Sequence, residues 1–193
     1  MKIVIFGANG ATGRLLIRQA LAAGHRIAAV TRRPAEFGVT HERLSVVAAD
    51  VHDAQATEQA VEGADVVLSA LGVPFTRKPV NVYSDGIRNI AAAMSRRGVK
   101  RLVVVSSSAT EPHHHADGGF LLNRVLQPLI TATIGKTTYR DMGRMEELVR
   151  GSNLEWTIMR PSARFVRKAV AVTTSEGAPT LFQMLRREAF KAA

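Results

Sequence analysis

Lys2-Ile-Val-Ile-Phe6-Gly7-Ala-Asn9-Gly10-Ala11-Thr12-Gly13 decides how this chain is read. Residues 2–6 form a short apolar run rich in branched side chains, ended by glycine, and read as a buried strand. Leu15–Ala23 places apolar residues at helical spacing and closes on Gly24, so it reads as a helix. A glycine-rich turn between a buried strand and a helix lets backbone amides approach a pyrophosphate at the helix N-terminus, where the dipole is positive. The spacing is G-x-x-G-x-x-G rather than the commoner G-x-G-x-x-G. Its context, strand before and helix after, favours a dinucleotide turn at Gly7, Asn9, Gly10, Ala11, Thr12 and Gly13 over a tight turn that merely needs small residues.

Outward from this turn, strand and helix patterns alternate. Strands are predicted at Arg26–Thr31, Leu44–Ala48, Asp65–Ser69, Arg101–Val105, Leu154–Met159 and Val166–Thr173. Helices are predicted around Ala54–Val61, over Asp85–Arg97, within about Phe120–Arg150 and over Thr180–Lys191. Alternation of this kind implies βαβ units with right-handed crossovers. The expected fold is α/β: a Rossmann-like doubly wound parallel sheet of about six to seven strands, with helices on both faces, in one domain spanning residues 1–193.

The ends of the strands supply the remaining candidates. A site for a plain dinucleotide usually has an acid after the second strand, to bond the ribose 2′-hydroxyl. Here Thr31 is followed by Arg32 and Arg33, with no acid before Glu36. Two arginines suit a 2′-phosphate, which points to NADP(H) rather than to two solvated surface charges. Asp50 follows the third strand and is placed either to accept from an adenine amino group or to cap a helix. Ala70, Leu71 and Gly72 after the fourth strand are small enough for close approach of a cofactor. Ser106, Ser107 and Ser108 after the fifth stand where a nicotinamide should reach, or form a polar turn that satisfies backbone groups.

Composition narrows the classes. The chain has 193 residues, 46% of them hydrophobic and 22% charged, enough to bury a core. It has no cysteine, which excludes disulfides, thiolate catalysis and thiolate-held metals. The net charge of +10 favours anionic partners. Arg96, Arg97, Lys100 and Arg101 lack interleaved aromatics, however, so nucleic acid is not expected. Consecutive His113, His114 and His115 do not form a converging ligand set, so no metal is expected. No apolar run is long enough to span a membrane, and residues 1–6 are too short for a signal segment. A cytoplasmic location is the expectation. Trp156 is expected in the core.

Several motifs together resemble the atypical short-chain dehydrogenase/reductase superfamily, in its NmrA-like NAD(P)-binding branch and near the flavin reductase/biliverdin reductase B type. They are Gly7–Gly13, Arg32-Arg33, Ala49-Asp50-Val51, Gly86–Ile90 with Gly98-Val99, Val105-Ser106-Ser107, and Trp156–Pro161. The resemblance covers residues 1 to about 161. It implies an NADPH-binding domain, usually a reductase of flavins, quinones or similar planar acceptors, and adds Val51 to the cofactor site. It also matches Ser107 to a serine near the nicotinamide, giving it a positioning and polarising role.

Most members of this superfamily carry Tyr-x-x-x-Lys on the helix after the fifth strand. Counting back from Arg160-Pro161 puts those positions on Thr138 and Met142, so the pair is expected to be absent. Tyr139 then turns about 100° away and reads as a surface or packing residue. Pro161–Ala163 runs almost directly into the predicted last strand, so part of the substrate-side segment is expected to be missing near residues 163–165, either deleted or absent from the chain. Residues 160–193 carry seven Lys/Arg against two Asp/Glu. Two functions stay open: an NADPH-dependent oxidoreductase of a small acceptor, or a non-enzymatic NADP(H)-binding redox sensor of the NmrA type. An epimerase or dehydratase of nucleotide sugars ranks lower. The oligomeric state, monomer or dimer, is open.

Overall fold

A computed structural model describes residues 1–74, 76, 78–107, 110 and 135–161. Six strands, β1 (Lys2–Phe6), β2 (Arg26–Thr31), β3 (Leu44–Ala48), β4 (Val66–Ser69), β5 (Arg101–Val105) and β6 (Glu155–Met159), form one sheet in the order β3-β2-β1-β4-β5-β6. Every pairing is parallel. Helices α1 (Ala11–Ala22), α2 (Ala54–Val61), α3 (Val82–Arg96) and α4 (Lys136–Arg150) accompany it. This is the expected Rossmann-like sheet. The predicted seventh strand, terminal helix, His113–His115 loop and gap near 163–165 lie outside the described residues.

Period-two alternation splits the core between two faces. Ile3 and Ile5 of β1 pack with Ile27, Ala29, Leu68 and Val103 beneath Leu16, Ile17 and Ala20 of α1. Val4 and Phe6 point the other way, into a cluster with Val67, Leu102, Val104, Ile87 and Ile90 of α3, and Met145 and Val149 of α4. Both faces are covered, which a parallel sheet requires. No helix among the described residues is long and apolar enough to cross a membrane.

Three features depart from expectation, each for a physical reason. Helix α1 begins at Ala11, not Leu15, because Gly10 is extended and its carbonyl takes the Arg14 amide at 2.9 Å. Helix α3 begins at Val82, not Asp85. Its N-cap, Asn81, makes no side-chain cap bond. The carboxylate of Asp141 in α4 instead accepts from the amides of Tyr83 (2.9 Å) and Ser84 (3.3 Å), and from the Ser84 hydroxyl. Trp156 is 38% exposed rather than in the core. It lies near the start of β6, which pairs with β5 alone among the described strands.

Candidate functional site

Strand β1 pairs with β2 on one side and β4 on the other, so the connections leave in opposite directions and a crevice opens at the C-terminal ends of the strands. A cleft of about 310 Å³ lies there, within the size range of small-ligand sites.

Its floor is the glycine turn. Gly7 sits at φ +77°, a conformation that favours glycine, and a Cβ at this position would lie 2.2 Å from the Ala70 carbonyl oxygen. A Cβ on Gly13 would meet the Gly7 carbonyl oxygen at 2.3 Å. The turn is therefore packed backbone against backbone. The N-terminus of α1 carries no side-chain cap and no acid in its first turn. The amides of Ala11, Thr12 and Gly13 thus have no intrahelical partner and face the end where an anion binds. Gly7, Asn9 and Gly10 line the cleft. Uncapped donors and a close-packed turn at the floor of the crevice together fit a dinucleotide.

Thr31, Arg32 and Arg33 form the wall beyond β2. The Arg33 amide donates to the Thr31 hydroxyl at 3.1 Å, which bends the chain as it leaves the strand. Arg33 pairs with Glu36 at 3.0 Å, and Arg32 approaches Asp50 at 3.9 Å. The two arginine side chains are 66% and 61% exposed, so these pairs are weak. Asp50 does not cap α2, as one reading allowed. It accepts from the His52 amide at 3.0 Å, and Asp53 is the cap, accepting from Gln55 (2.9 Å) and Ala56 (3.0 Å). Ala49 and Val51 line the cleft on either side of Asp50.

Ala70, Leu71, Gly72, Val73 and Pro74 make the opposite wall. The Val73 amide donates to the hydroxyl of buried Tyr83 at 3.3 Å. Burial pushes the Tyr83 phenol above its ordinary pKa, with the Val73 bond opposing and Asp141 reinforcing the rise. It therefore stays protonated and the wall stays pinned to α3.

The serines follow β5, and no described residue from β5 or its following turn lines the cleft. Ser106 is buried and turned toward α4. Its hydroxyl donates to Glu146 at 2.6 Å. Glu146 also accepts from Thr110 (3.0 Å), Arg150 (3.0 Å) and Arg160 (2.9 Å through Nε). Burial alone would raise the Glu146 pKa. The bonds from Arg160, Ser106 and Thr110, with the charge of Arg160, outweigh it and hold the carboxyl below its usual value. Ser107 is hydrogen-bonded to Tyr139, and burial raises the Tyr139 pKa against that bond. Tyr139, expected as a surface or packing residue, is half-buried and also meets Ser107 through its hydroxyl, a contact the spacing does not announce. Thr138, Asp141, Met145 and Val149 form the buried stripe of α4, which leaves Tyr139 half-buried beside the serine turn. Position 143, four residues on, is glycine with no atom within 4 Å of a would-be Cβ. Ser108 lies outside the described residues. Among the described residues no cluster of His, Asp or Glu is placed to hold a metal ion.

Sequence reasoning missed Glu146, Asp141 and Arg14. All three act through contacts 5 to 58 residues distant in the chain, and no local motif marks them.

Comparison with known proteins agrees with this geometry. An uncharacterised protein of Mycobacterium tuberculosis is 36% identical over 108 residues, covering 55% of this chain but only 12% of its own length. A Saccharomyces cerevisiae protein of unassigned function is 28% identical over 181 residues, covering 89% of this chain and 74% of its own. The crystal structure of a short-chain dehydrogenase/reductase from Veillonella parvula in complex with NADP superposes with a TM-score of 0.63 at 25% identity, covering 82% of this chain and 68% of that one. The sequence model of the NAD(P)H-binding family matches residues 7–184, far more than half of the chain. The protein belongs to the NAD(P)H-binding family.

Proposed function

We propose that the protein is an NADPH-dependent oxidoreductase that passes hydride to a small planar acceptor such as a flavin or a quinone. The observation that carries the cofactor choice is the pair Arg32 and Arg33 on the cleft wall, where an NAD site would offer a carboxylate. That the Veillonella relative was solved with NADP agrees with it.

In this reading the amides of the glycine turn and of the first turn of α1 bind the pyrophosphate. Arg32 and Arg33 leave Asp50 and Glu36 to hold the 2′-phosphate by charge-assisted bonds. Asp50, freed of Arg32, accepts from the adenine amino group, and Val51 packs against the ring. Ala70, Leu71 and Gly72 allow close approach along the opposite wall. When bound, NADPH supplies the hydride from its nicotinamide C4. Ser107 polarises and positions the acceptor end, and its partner Tyr139 holds a proton at Oη. Position 143, where a Tyr-x-x-x-Lys pair starting at Tyr139 would put its lysine, is glycine, and burial holds the Tyr139 pKa up. A poor acid suits acceptors that take their proton from water, so orientation rather than proton transfer supplies the acceleration.

The same glycine favours a second reading, a redox sensor that binds NADP(H) without turnover. Calorimetric titration with NADPH and NADH, followed by NADPH oxidation against FMN and a quinone panel, separates the two. Tight NADPH binding with turnover supports the reductase. Tight binding with no turnover across the panel overturns it in favour of the sensor. Equal affinity for both cofactors removes the NADP assignment from either.

A further inference from the structure

The first turn of α1 carries a cation where the helix dipole favours an acid. Arg14 is nonetheless tied down on every side. Its Nη1 donates to the Phe37 carbonyl at 2.7 Å, and its Nη2 to the Glu36 carbonyl at 3.1 Å. Its Nε donates to the Asn9 carbonyl at 3.2 Å, and Nη2 also reaches Asn9 Oδ1 at 3.3 Å. The guanidinium carbon lies 5.3 Å from the centroid of the Phe37 ring, which is fully buried. The Asn9 side-chain amide in turn donates to the Arg33 carbonyl at 3.1 Å. These contacts close a ring: Arg14 to Asn9 on the phosphate turn, Asn9 to Arg33, and the chain from Arg33 through Phe37 back to Arg14.

The acceptors in this ring are backbone and amide oxygens, not carboxylates, so the bonds fix the guanidinium without neutralising it. The planar fork matters here, because a lysine cannot donate in several directions within one plane. The segment it holds begins at Arg33 and follows directly on Arg32, and the side chains of these two arginines are largely exposed and make only weak ion pairs. Their backbone is therefore the part that must be pre-placed. An anion that finds its donors already positioned does not lose affinity to ordering a loop.

We propose that Arg14 is a positioning residue for cofactor discrimination: by fastening the Arg33–Phe37 segment to the phosphate turn through Asn9, it sets the preference for a 2′-phosphorylated dinucleotide over the unphosphorylated one. The inference rests on the 2′-phosphate reading of Arg32 and Arg33.

The test is the ratio of dissociation constants for NADH and NADPH, measured by calorimetry on the full chain carrying R14Q, R14K or R32A/R33A. A thermal melt of each variant checks the fold. R14Q should weaken NADPH by about tenfold or more and NADH by less than about threefold, on the scale of a few lost hydrogen bonds. R14K keeps the charge but loses the fork, and should behave like R14Q. If R14K instead keeps the wild-type ratio, charge and not positioning is at work and the inference fails. It fails equally if R32A/R33A abolishes the preference while both Arg14 variants shift the two cofactors in parallel or not at all. If R32A/R33A leaves the ratio unchanged, the 2′-phosphate reading itself is wrong and the inference falls with it. Should R14Q melt below the assay temperature, R14K, which loses the same fork but keeps the charge, and N9A, which cuts the ring at the Asn9–Arg33 bond, decide the matter by the same ratio.

Discussion

Replacing Glu146 by alanine should cost about 3 to 5 kcal/mol of stability, and the structure shows where that figure comes from. The carboxylate is buried and accepts from Ser106, Thr110, Arg150 and Arg160. Arg160, with a side chain 22% exposed, loses a charge-assisted partner at roughly 1.5–3 kcal/mol, and the buried Ser106 hydroxyl loses its acceptor at roughly 1–3 kcal/mol, whereas the Thr110 hydroxyl keeps the Ser107 carbonyl at 2.7 Å. Arg150, 46% exposed, is an i,i+4 pair worth about 0.3–0.5 kcal/mol and adds little. At about 2–4 °C per kcal/mol for a domain of this size, Tm should fall by roughly 6–20 °C. Glu146→Gln keeps acceptor oxygen but no charge, and should cost about half as much.

The pH dependence follows from the lowered carboxyl pKa. A group depressed in the folded state contributes its stability in full above the unfolded value, about 4.3, and loses it as pH falls through the folded one. Urea melts of wild type and Glu146→Gln at pH 7 should therefore differ most, and the gap should narrow below about pH 4. A gap under about 1 kcal/mol at pH 7, or one that stays constant down to pH 3, would refute the reasoning.

Three further outcomes are expected. Gly7→Ala forces a left-handed residue against the Ala70 carbonyl, so it should abolish cofactor binding in titration even where circular dichroism shows a folded chain. Arg32→Ala with Arg33→Ala should weaken NADPH by about 2–4 kcal/mol and leave NADH within about twofold, and equal losses would speak against a 2′-phosphate site. Tyr139→Phe should leave NADPH affinity unchanged and lower turnover of a flavin or quinone by less than about tenfold. A loss of about 10²–10⁴ would mean that the phenol is the proton donor after all.

The sheet could be read from the chain because its strands are short apolar runs, the first closed by Gly7, and its crossovers carry helical spacing. The glycine turn and the Arg32-Arg33 wall of the cleft were equally legible, since each is a contiguous motif at a strand end. What could not be read is held together from afar. The start of α3 depends on Asp141, which no N-cap pattern near Asn81 announces. The side chain of Ser106 belongs to Glu146, forty residues on, although in sequence it looks like any serine in a polar turn. The place of Tyr139 depends on which stripe of α4 the core buries: Thr138, Asp141, Met145 and Val149 turn inward, which leaves Tyr139 half-buried beside the serine turn. Trp156 shows the converse failure: a large apolar residue in a strand predicts burial only if something covers that strand.

The cap that Asp141 provides makes α3 a borrower. Its first amides are protected from solvent exchange by a neighbour that is made later in the chain, and the same helix turn pins the cleft wall through Tyr83 and Val73. Amide protons at Tyr83 and Ser84 consequently report on the docking of α4, although neither residue belongs to it. When α4 lifts, those two protons exchange and the support of the cleft wall loosens in the same event, so the far helix and the near wall open as one cooperative unit.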